Sequence, residues 1–253
     1  MPTTTLLVDG DVLKYRFGFS AEWELDFGDT GVIHHTDEQK ADQKVHGFIH
    51  KWVEVTKADR VVVALSDDEN FRLDILPSYK ANRTNARSPL LKQYIVDLLR
   101  EYYETIERPR LEADDVMGIL STSKKIIPGK KIILSIDKDM QTIPGWFLNP
   151  NEDEVPRLIY HQEADYYHMF QTLTGDSVDN YKGCPGVGEK RAQAILAGAE
   201  DVSEMWDRVV DAYEKKGLTE ADALIQARVA RICRNTDWNF KKRKVKLWQP
   251  PSR

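Results

Sequence analysis

Three short apolar runs, each closing on an aspartate, constrain this chain more than any other feature. Thr5-Leu6-Leu7-Val8 ends in Asp9, Val61-Val62-Val63-Ala64-Leu65 ends after Ser66 in Asp67, and Ile132-Ile133-Leu134-Ser135-Ile136 ends in Asp137. Each run is apolar on both faces, the signature of a central strand in a parallel sheet covered on both sides by helices. Helical spacing fills the intervals, with Val45, Phe48, Ile49, Trp52 and Val53 in one stretch and Leu91, Tyr94, Ile95, Leu98, Leu99 and Tyr102 in another. Alternating strand and helix predicts a doubly wound α/β fold with a mainly parallel central sheet. In such sheets the ligand crevice lies beyond the carboxyl ends of the strands. The three aspartates are therefore expected to converge, although a single strand-ending Asp is as readily explained by turn formation.

More carboxylates follow. Glu112-Ala113-Asp114-Asp115 opens an apolar helix, Asp137-Lys138-Asp139 continues the third strand, and Asp176 and Asp179 stand three apart. Acids in a first helical turn complement the macrodipole, but three within four residues exceed that need. Glu112 and Asp115 share a helix face, whereas Asp114 points to the adjacent side. Crowded carboxylates raise one another's pKa, and divalent cations relieve the repulsion. Hard oxygen donors without a Cys/His cluster select Mg²⁺ or Mn²⁺ over Zn²⁺. Two such ions about 3.5–4 Å apart are the usual apparatus for in-line phosphodiester displacement. His46 and His50 lack the glutamate of a His-Glu-x-x-His site, since Gly47 follows His46.

Two basic elements accompany the acids. Residues from Asn70 to Arg87 carry Arg72, Lys80, Arg83 and Arg87 among aromatic rings, including Tyr79, and read as a mobile excursion above the crevice. Tyr181-Lys182-Gly183-Cys184-Pro185-Gly186-Val187-Gly188-Glu189-Lys190-Arg191 fits neither a P-loop nor a dinucleotide fingerprint. A helix before it and a second helix near Glu189 make it a glycine-rich hairpin that offers backbone N–H groups to a phosphate. Lys182, Lys190 and Arg191 add charge there. Residues 145–160 are loop-rich with short strands, and the chain is almost wholly helical from Glu163 to about Asn235. The run Lys241-Lys242-Arg243-Lys244-Val245-Lys246 reads first as a solvated tail and second as a phosphate contact.

Composition narrows the setting. With 36 basic and 41 acidic side chains the formal charge is −5, yet charge placement rather than its sum decides nucleic-acid binding. No stretch of about 18 apolar residues exists to span a membrane, and the N-terminus lacks a secretory pattern. Two cysteines provide no disulfide framework, so a reducing cytoplasm is the expected location.

Taken in order, these motifs resemble the 5′ nucleases, the flap endonucleases and 5′→3′ exonucleases, and especially their short phage forms. The matching residues are Val8-Asp9-Gly10, Ser66-Asp67, Phe71-Arg72, Tyr79-Lys80-x-x-Arg83, Glu112-Ala113-Asp114-Asp115, Asp137-Lys138-Asp139, and Gly175-Asp176-x-x-Asp179-Asn180 running into Gly183-x-Pro185-Gly186-x-Gly188-x-Lys190. The resemblance implies a PIN-like catalytic domain over residues 1–160, with a helical arch near 70–92. Residues 161–253 would form a helical DNA-binding region with a helix–three-turn–helix element. It implies two Mg²⁺ ions, with Asp9, Asp67, Glu112, Asp114 and Asp115 at the first and Asp137, Asp139, Asp176 and Asp179 at the second. Asp68 is an alternative to Asp67. Lys80 and Arg83 would act on the scissile phosphate, and Tyr79 would stack on the terminal base. Arg72, Arg87, Lys182, Gly183, Gly186, Gly188, Lys190 and Arg191 would contact DNA, and K⁺ would sit at the glycine turn. The implied substrate is duplex, nicked or flapped DNA, or an RNA/DNA hybrid. The implied enzyme is a monomer that meets replication proteins, in host cytoplasm if phage-encoded. Two rivals remain. Asp9-Gly10-Asp11-Val12 fits a haloacid-dehalogenase-like phosphatase, but its late acidic motif should follow a strand, and Gly175-Asp176 follows a helical pattern. A DNA-binding module without catalysis leaves the carboxylates unexplained.

Overall fold

The computed structural model describes the backbone of residues 3–83 and 87–251. Strand β1 (Thr4–Asp9) leads into helix α1 (Gly10–Ser20), then a hairpin of β2 (Glu22–Asp26) and β3 (Val32–Thr36), helix α2 (Glu38–Thr56) and β4 (Arg60–Leu65). Helix α3 (Lys92–Tyr102), β5 (Glu104–Glu107), α4 (Ala113–Thr122), β6 (Lys130–Leu134), β7 (Gly145–Leu148) and β8 (Arg157–Ile159) complete the sheet region. Four helices follow, α5 (His161–Thr174), α6 (Glu189–Leu196), α7 (Val202–Glu214) and α8 (Glu220–Ala230), and then β9 (Trp238–Asn239) and β10 (Lys244–Val245).

The six-stranded sheet has the order β5-β4-β1-β6-β7-β8, parallel except for the β7–β8 edge. The runs around Leu7, Val63 and Ile133 are thus its three adjacent central strands. Their residues alternate between two cores, as period-2 geometry requires. Leu6, Val8, Val63, Leu65, Ile132 and Leu134 pack with Val45, Ile49, Trp52, Ile95 and Leu99 of α2 and α3. Leu7, Val62, Ala64 and Ile133 pack on the other face with Val116, Met117 and Leu120 of α4. Tyr102, expected on the buried stripe, is instead exposed at the end of α3. A third core joins α5 to α8 through Met169, Leu173, Trp206, Val209 and Tyr213.

The basic excursion departs from expectation. Among the described residues between β4 and α3 only short 3₁₀ turns occur, at Phe71–Asp74 and Ala81–Arg83, with no α-helical arch. Residues 84–86, also inside the expected arch, lie outside the described residues. The turns are pinned down rather than raised: Lys80 N–H donates to Asp179 O (2.9 Å), and Asn180 Nδ2 donates to Ser78 O (2.6 Å). Asn82 Nδ2 donates to Ser177 O (2.9 Å).

The glycine turn depends on close backbone approach. A Cβ on Gly183 would stand 2.3 Å from the Gly175 nitrogen, and both residues have positive φ (+63° and +67°). Only glycine fits both demands.

Candidate functional site

From β1 the chain steps outward to β4 and β5 and then crosses back to β6 on the other side of β1, so the strand order reverses between β1 and β6. Ligand crevices form at such reversals, beyond the strand carboxyl ends. Asp9 ends β1 here and caps α1, accepting from the N–H groups of Asp11 (3.0 Å) and Val12 (3.1 Å) and from Ser135 Oγ (2.7 Å). Asp137 follows β6 and accepts from Asp139 N–H (2.8 Å). Helix α4 points its first turn at the same place. The resulting cleft of about 730 Å³ is lined by Asp9, Asp11, Glu112, Asp114, Asp137 and Asp179, with Lys80, Arg83 and Arg87 also on its walls. Asp139 and Asp176 adjoin it. Gln171 Nε2 holds Asp139 (2.6 Å), and Lys138 Nζ lies 3.4 Å from Asp176.

Two electrostatic regimes meet in the cleft. Burial, aggravated by Asp11 and Asp137, pushes Asp9 up to about 7. Burial and the neighbouring Asp137 and Asp176 push Asp139 up to about 7 as well. Asp114 is driven well above the ordinary range by burial and by Asp9, Asp137 and Glu112, and Asp137 rises through burial and Asp179. Glu112 is the exception. Burial would raise it, yet Arg72 and Lys80 bring it down to about 2. Asp9, Asp114, Asp137 and Asp139 thus hold their protons more tightly than free carboxyls, because the protein gives them too little positive charge, a deficit that a hard cation fills. These oxygen donors suit Mg²⁺ or Mn²⁺ in kind. As arranged, they spread along the cleft: among the described residues no three His, Cys, Asp or Glu groups close around one point.

The cationic wall is built from the pinned excursion. Lys80 takes left-handed backbone (φ +55°), a strained conformation for a residue with a Cβ. Its ammonium donates to Glu112 and lies 3.6 Å from Asp179. Arg83 pairs with Asp179 and is half exposed. Arg87 pairs with Glu22 (2.6 Å) and lies over the Phe19 ring (5.0 Å) at the rim.

Several residues fall elsewhere than the sequence suggests. Asp67 lines an adjoining hollow with Asp68, and its carboxylate accepts from Arg110 N–H (2.6 Å), so it secures a turn outside the main cleft. Asp115 is 0% exposed, accepts from Arg72 and from Cys233 N–H (2.9 Å), and has no free face for a metal. Arg72 is 2% exposed, with its guanidinium spent on Asp115, Glu112 and the carbonyls of Val229 and Arg231, which leaves nothing for DNA. Tyr79 is 5% exposed and its hydroxyl donates among Glu112 (2.9 Å) and Asp179 (2.9 Å), so it braces carboxylates and offers no face to a base. Asp11 and Gln171 are the additions. Asp11, visible in Asp9-Gly10-Asp11, accepts from Ser66 Oγ (2.8 Å) and pairs with Lys14 (2.7 Å); Gln171 had no local signal.

In the glycine turn, Gly186, Gly188, Lys182, Lys190 and Arg191 are exposed. Gly183 is buried with its N–H already given to Gln226 Oε1 (2.9 Å), so it shapes the turn without facing a ligand. Arg191 folds back to donate to Gly186 O (2.6 Å). Helix α5 precedes Gly175-Asp176, which removes the strand a dehalogenase-like site requires.

Residues 4–145 match the family model described as the 5′-3′ exonuclease, N-terminal resolvase-like domain. An exonuclease of Escherichia phage T7 is 30% identical, over 97% of this chain and 93% of that protein. The phage T5 D15 protein co-crystallised with metal ions superimposes with a TM-score of 0.68 at 17% identity, covering 92% of this chain and 90% of the other. The T5 D15 flap endonuclease in a pseudo-enzyme-product complex with DNA and metal ions gives 0.64 at 17% identity, over 90% and 93%. Fold, sequence and the aspartate-lined crevice agree, and the chain belongs to the 5′–3′ exonuclease family.

Proposed function

We propose that this protein hydrolyses phosphodiester bonds near the 5′ ends of duplex, nicked or flapped DNA, using two divalent cations, Mg²⁺ in the cell. The observation that carries this reading is the set of carboxyls with raised pKa at the β1/β6 reversal, Asp9, Asp114 and Asp137 facing Lys80 and Arg83 across one cleft with Asp139 adjoining. Asp9, Glu112 and Asp114 would hold one ion, and Asp137, Asp139, Asp176 and Asp179 the other. Bound there, the cations supply an activated water and charge stabilisation for the leaving oxygen. Glu112 stays ionised beside Arg72 and Lys80 across the neutral range. Lys80 and Arg83 place positive charge where the scissile phosphate gains negative charge. Gly186, Gly188, Lys190 and the first turn of α6 would meet backbone phosphates, a contact that carries no sequence preference. The test is incubation of 5′-labelled flap, nicked and blunt duplexes with and without Mg²⁺. Metal-dependent product supports the reading; turnover of only a small phosphomonoester overturns it.

Lys80→Ala is expected to lower kcat about 10²–10³-fold with little change in KM, because its charge matters most in the transition state. Single-turnover and steady-state rates on one flap substrate measure the split. Equal losses in kcat and affinity would make Lys80 a general phosphate contact.

Metal binding also predicts a pH-dependent stability. Asp9 and Asp139 titrate near 7 when folded but at the ordinary 3.8 when unfolded. Between those values the native state holds more protons, so their contribution to stability falls as pH rises. Glu112, lowered in the fold, adds stability that is lost only below its ordinary range. The gain in Tm on adding millimolar Mg²⁺ should therefore be several-fold larger at about pH 8 than at about pH 5. Calorimetry at both pH values reads this, and an equal gain would exclude these carboxylates as ligands.

A further inference from the structure

The basic run at the C-terminal end is a hairpin, not a tail. β9 and β10 pair antiparallel, with Trp238 buried in the core beneath α4. Asn239 Oδ1 accepts the N–H groups of Lys241 (3.1 Å) and Lys242 (3.0 Å), which shapes the connecting loop. Arg243 takes left-handed backbone (φ +50°), where a plain connector would use glycine or asparagine. Lys241, Lys242, Arg243 and Lys244 are all exposed, and among the described residues none pairs with a carboxylate. Arg108 joins them from the end of β5, its guanidinium 5.7 Å from the exposed Phe240 ring. Arg108 Nε has no hydrogen-bond partner, and burial together with Arg243 lowers its pKa.

A cluster of like charges without counter-charge, in a chain with 41 acids to spare, calls for an external anion of repeating charge. Arg108 follows the carboxyl end of β5, the end of the sheet that holds the cleft. Three residues separate it from Glu112, at most about 14 Å of extended chain. Duplex DNA carries a charge every ~1.7 Å along its axis, so a span of that length presents several phosphates. We propose that the 238–245 hairpin, with Arg108, grips the phosphate backbone of a duplex arm as a contact distinct from the glycine turn. This rests on the nuclease reading above.

The test is equilibrium binding of a fluorescent nicked duplex to the full-length protein across a KCl series. Each lost phosphate contact flattens the plot of log affinity against log salt by about 0.9. A Lys241→Ala/Lys242→Ala/Arg243→Ala variant should lose about 2.7 in slope, and Lys241→Arg/Lys242→Arg/Arg243→Lys should keep the wild-type slope. An unchanged slope in the alanine variant, with wild-type protein cleaving DNA, overturns the hairpin proposal and leaves the nuclease reading standing. So does an unchanged slope accompanied by lost sedimentation with phosphatidylserine vesicles, which would assign the patch to a membrane surface. Failure of the wild-type protein to bind or cleave any duplex overturns both.

Discussion

Asp114→Ala abolishes Mg²⁺-dependent hydrolysis, a loss of at least about 10³-fold in kcat, while duplex affinity stays within a few-fold. The expectation follows from what surrounds the side chain. Asp114 has no hydrogen-bond or ion-pair partner among the described residues, and burial beside Asp9, Asp137 and Glu112 opposes its charge. A residue kept in that position contributes nothing to the metal-free fold, so its deletion should leave Tm equal or raise it. Loss of rate without loss of stability is the signature sought, read by a single-turnover assay and thermal unfolding of one preparation. Near-normal turnover would refute the ligand assignment. Asp67→Ala is the informative contrast: its carboxylate holds Arg110 N–H outside the cleft, and a modest stability loss should dominate.

Arg72→Leu is the largest expected change in stability. The guanidinium is held by Asp115 (2.7 and 2.9 Å), Val229 O (2.9 Å) and Arg231 O (2.7 Å) away from solvent, and by Glu112 (3.1 Å) at the cleft wall. Removing it strands Asp115, and breaking such a pair costs about 3–5 kcal/mol. For a chain of this size that lowers Tm by roughly 6–20 °C. The double variant Arg72→Leu/Asp115→Leu should recover part of the loss, because no buried charge is then left unpaired. Circular dichroism melts of both variants measure it. A single variant within a degree of wild type would overturn the buried-pair reading.

The three central strands were legible because residues apolar on both faces have only one place to go. Helix α4 was legible as well, but not the division of labour within it. Asp114 and Asp115 are neighbours roughly 100° apart on the helix, and only the position of Arg72, more than forty residues earlier, decides which faces the core. Tyr79 and Arg72 looked like surface groups because basic and aromatic residues in a polar segment usually are. Their partners are carboxylates distant in sequence, so no local pattern turns them inward. The β2–β3 hairpin carries a misleading signal: Glu22, Glu24 and Asp26 alternate with Trp23 and Leu25 as in a half-buried strand, yet both faces remain largely exposed. Asp139, by contrast, was found by proximity to its strand, while the Gln171 that holds it comes from α5.

Arg72 also ties together segments made at very different times. Its acceptors include the carbonyls of Val229 and Arg231, 157 and 159 residues later in the chain, and Lys80 is fastened to Asp179 O (2.9 Å). A chain growing on the ribosome exposes Asp9, Asp114 and Asp137 well before those acceptors emerge. Until they do, the excursion that carries Lys80 has only Glu112 and Asp115 to close against. The cationic wall of the cleft is consequently finished only after residues 179–231 have been added to the chain.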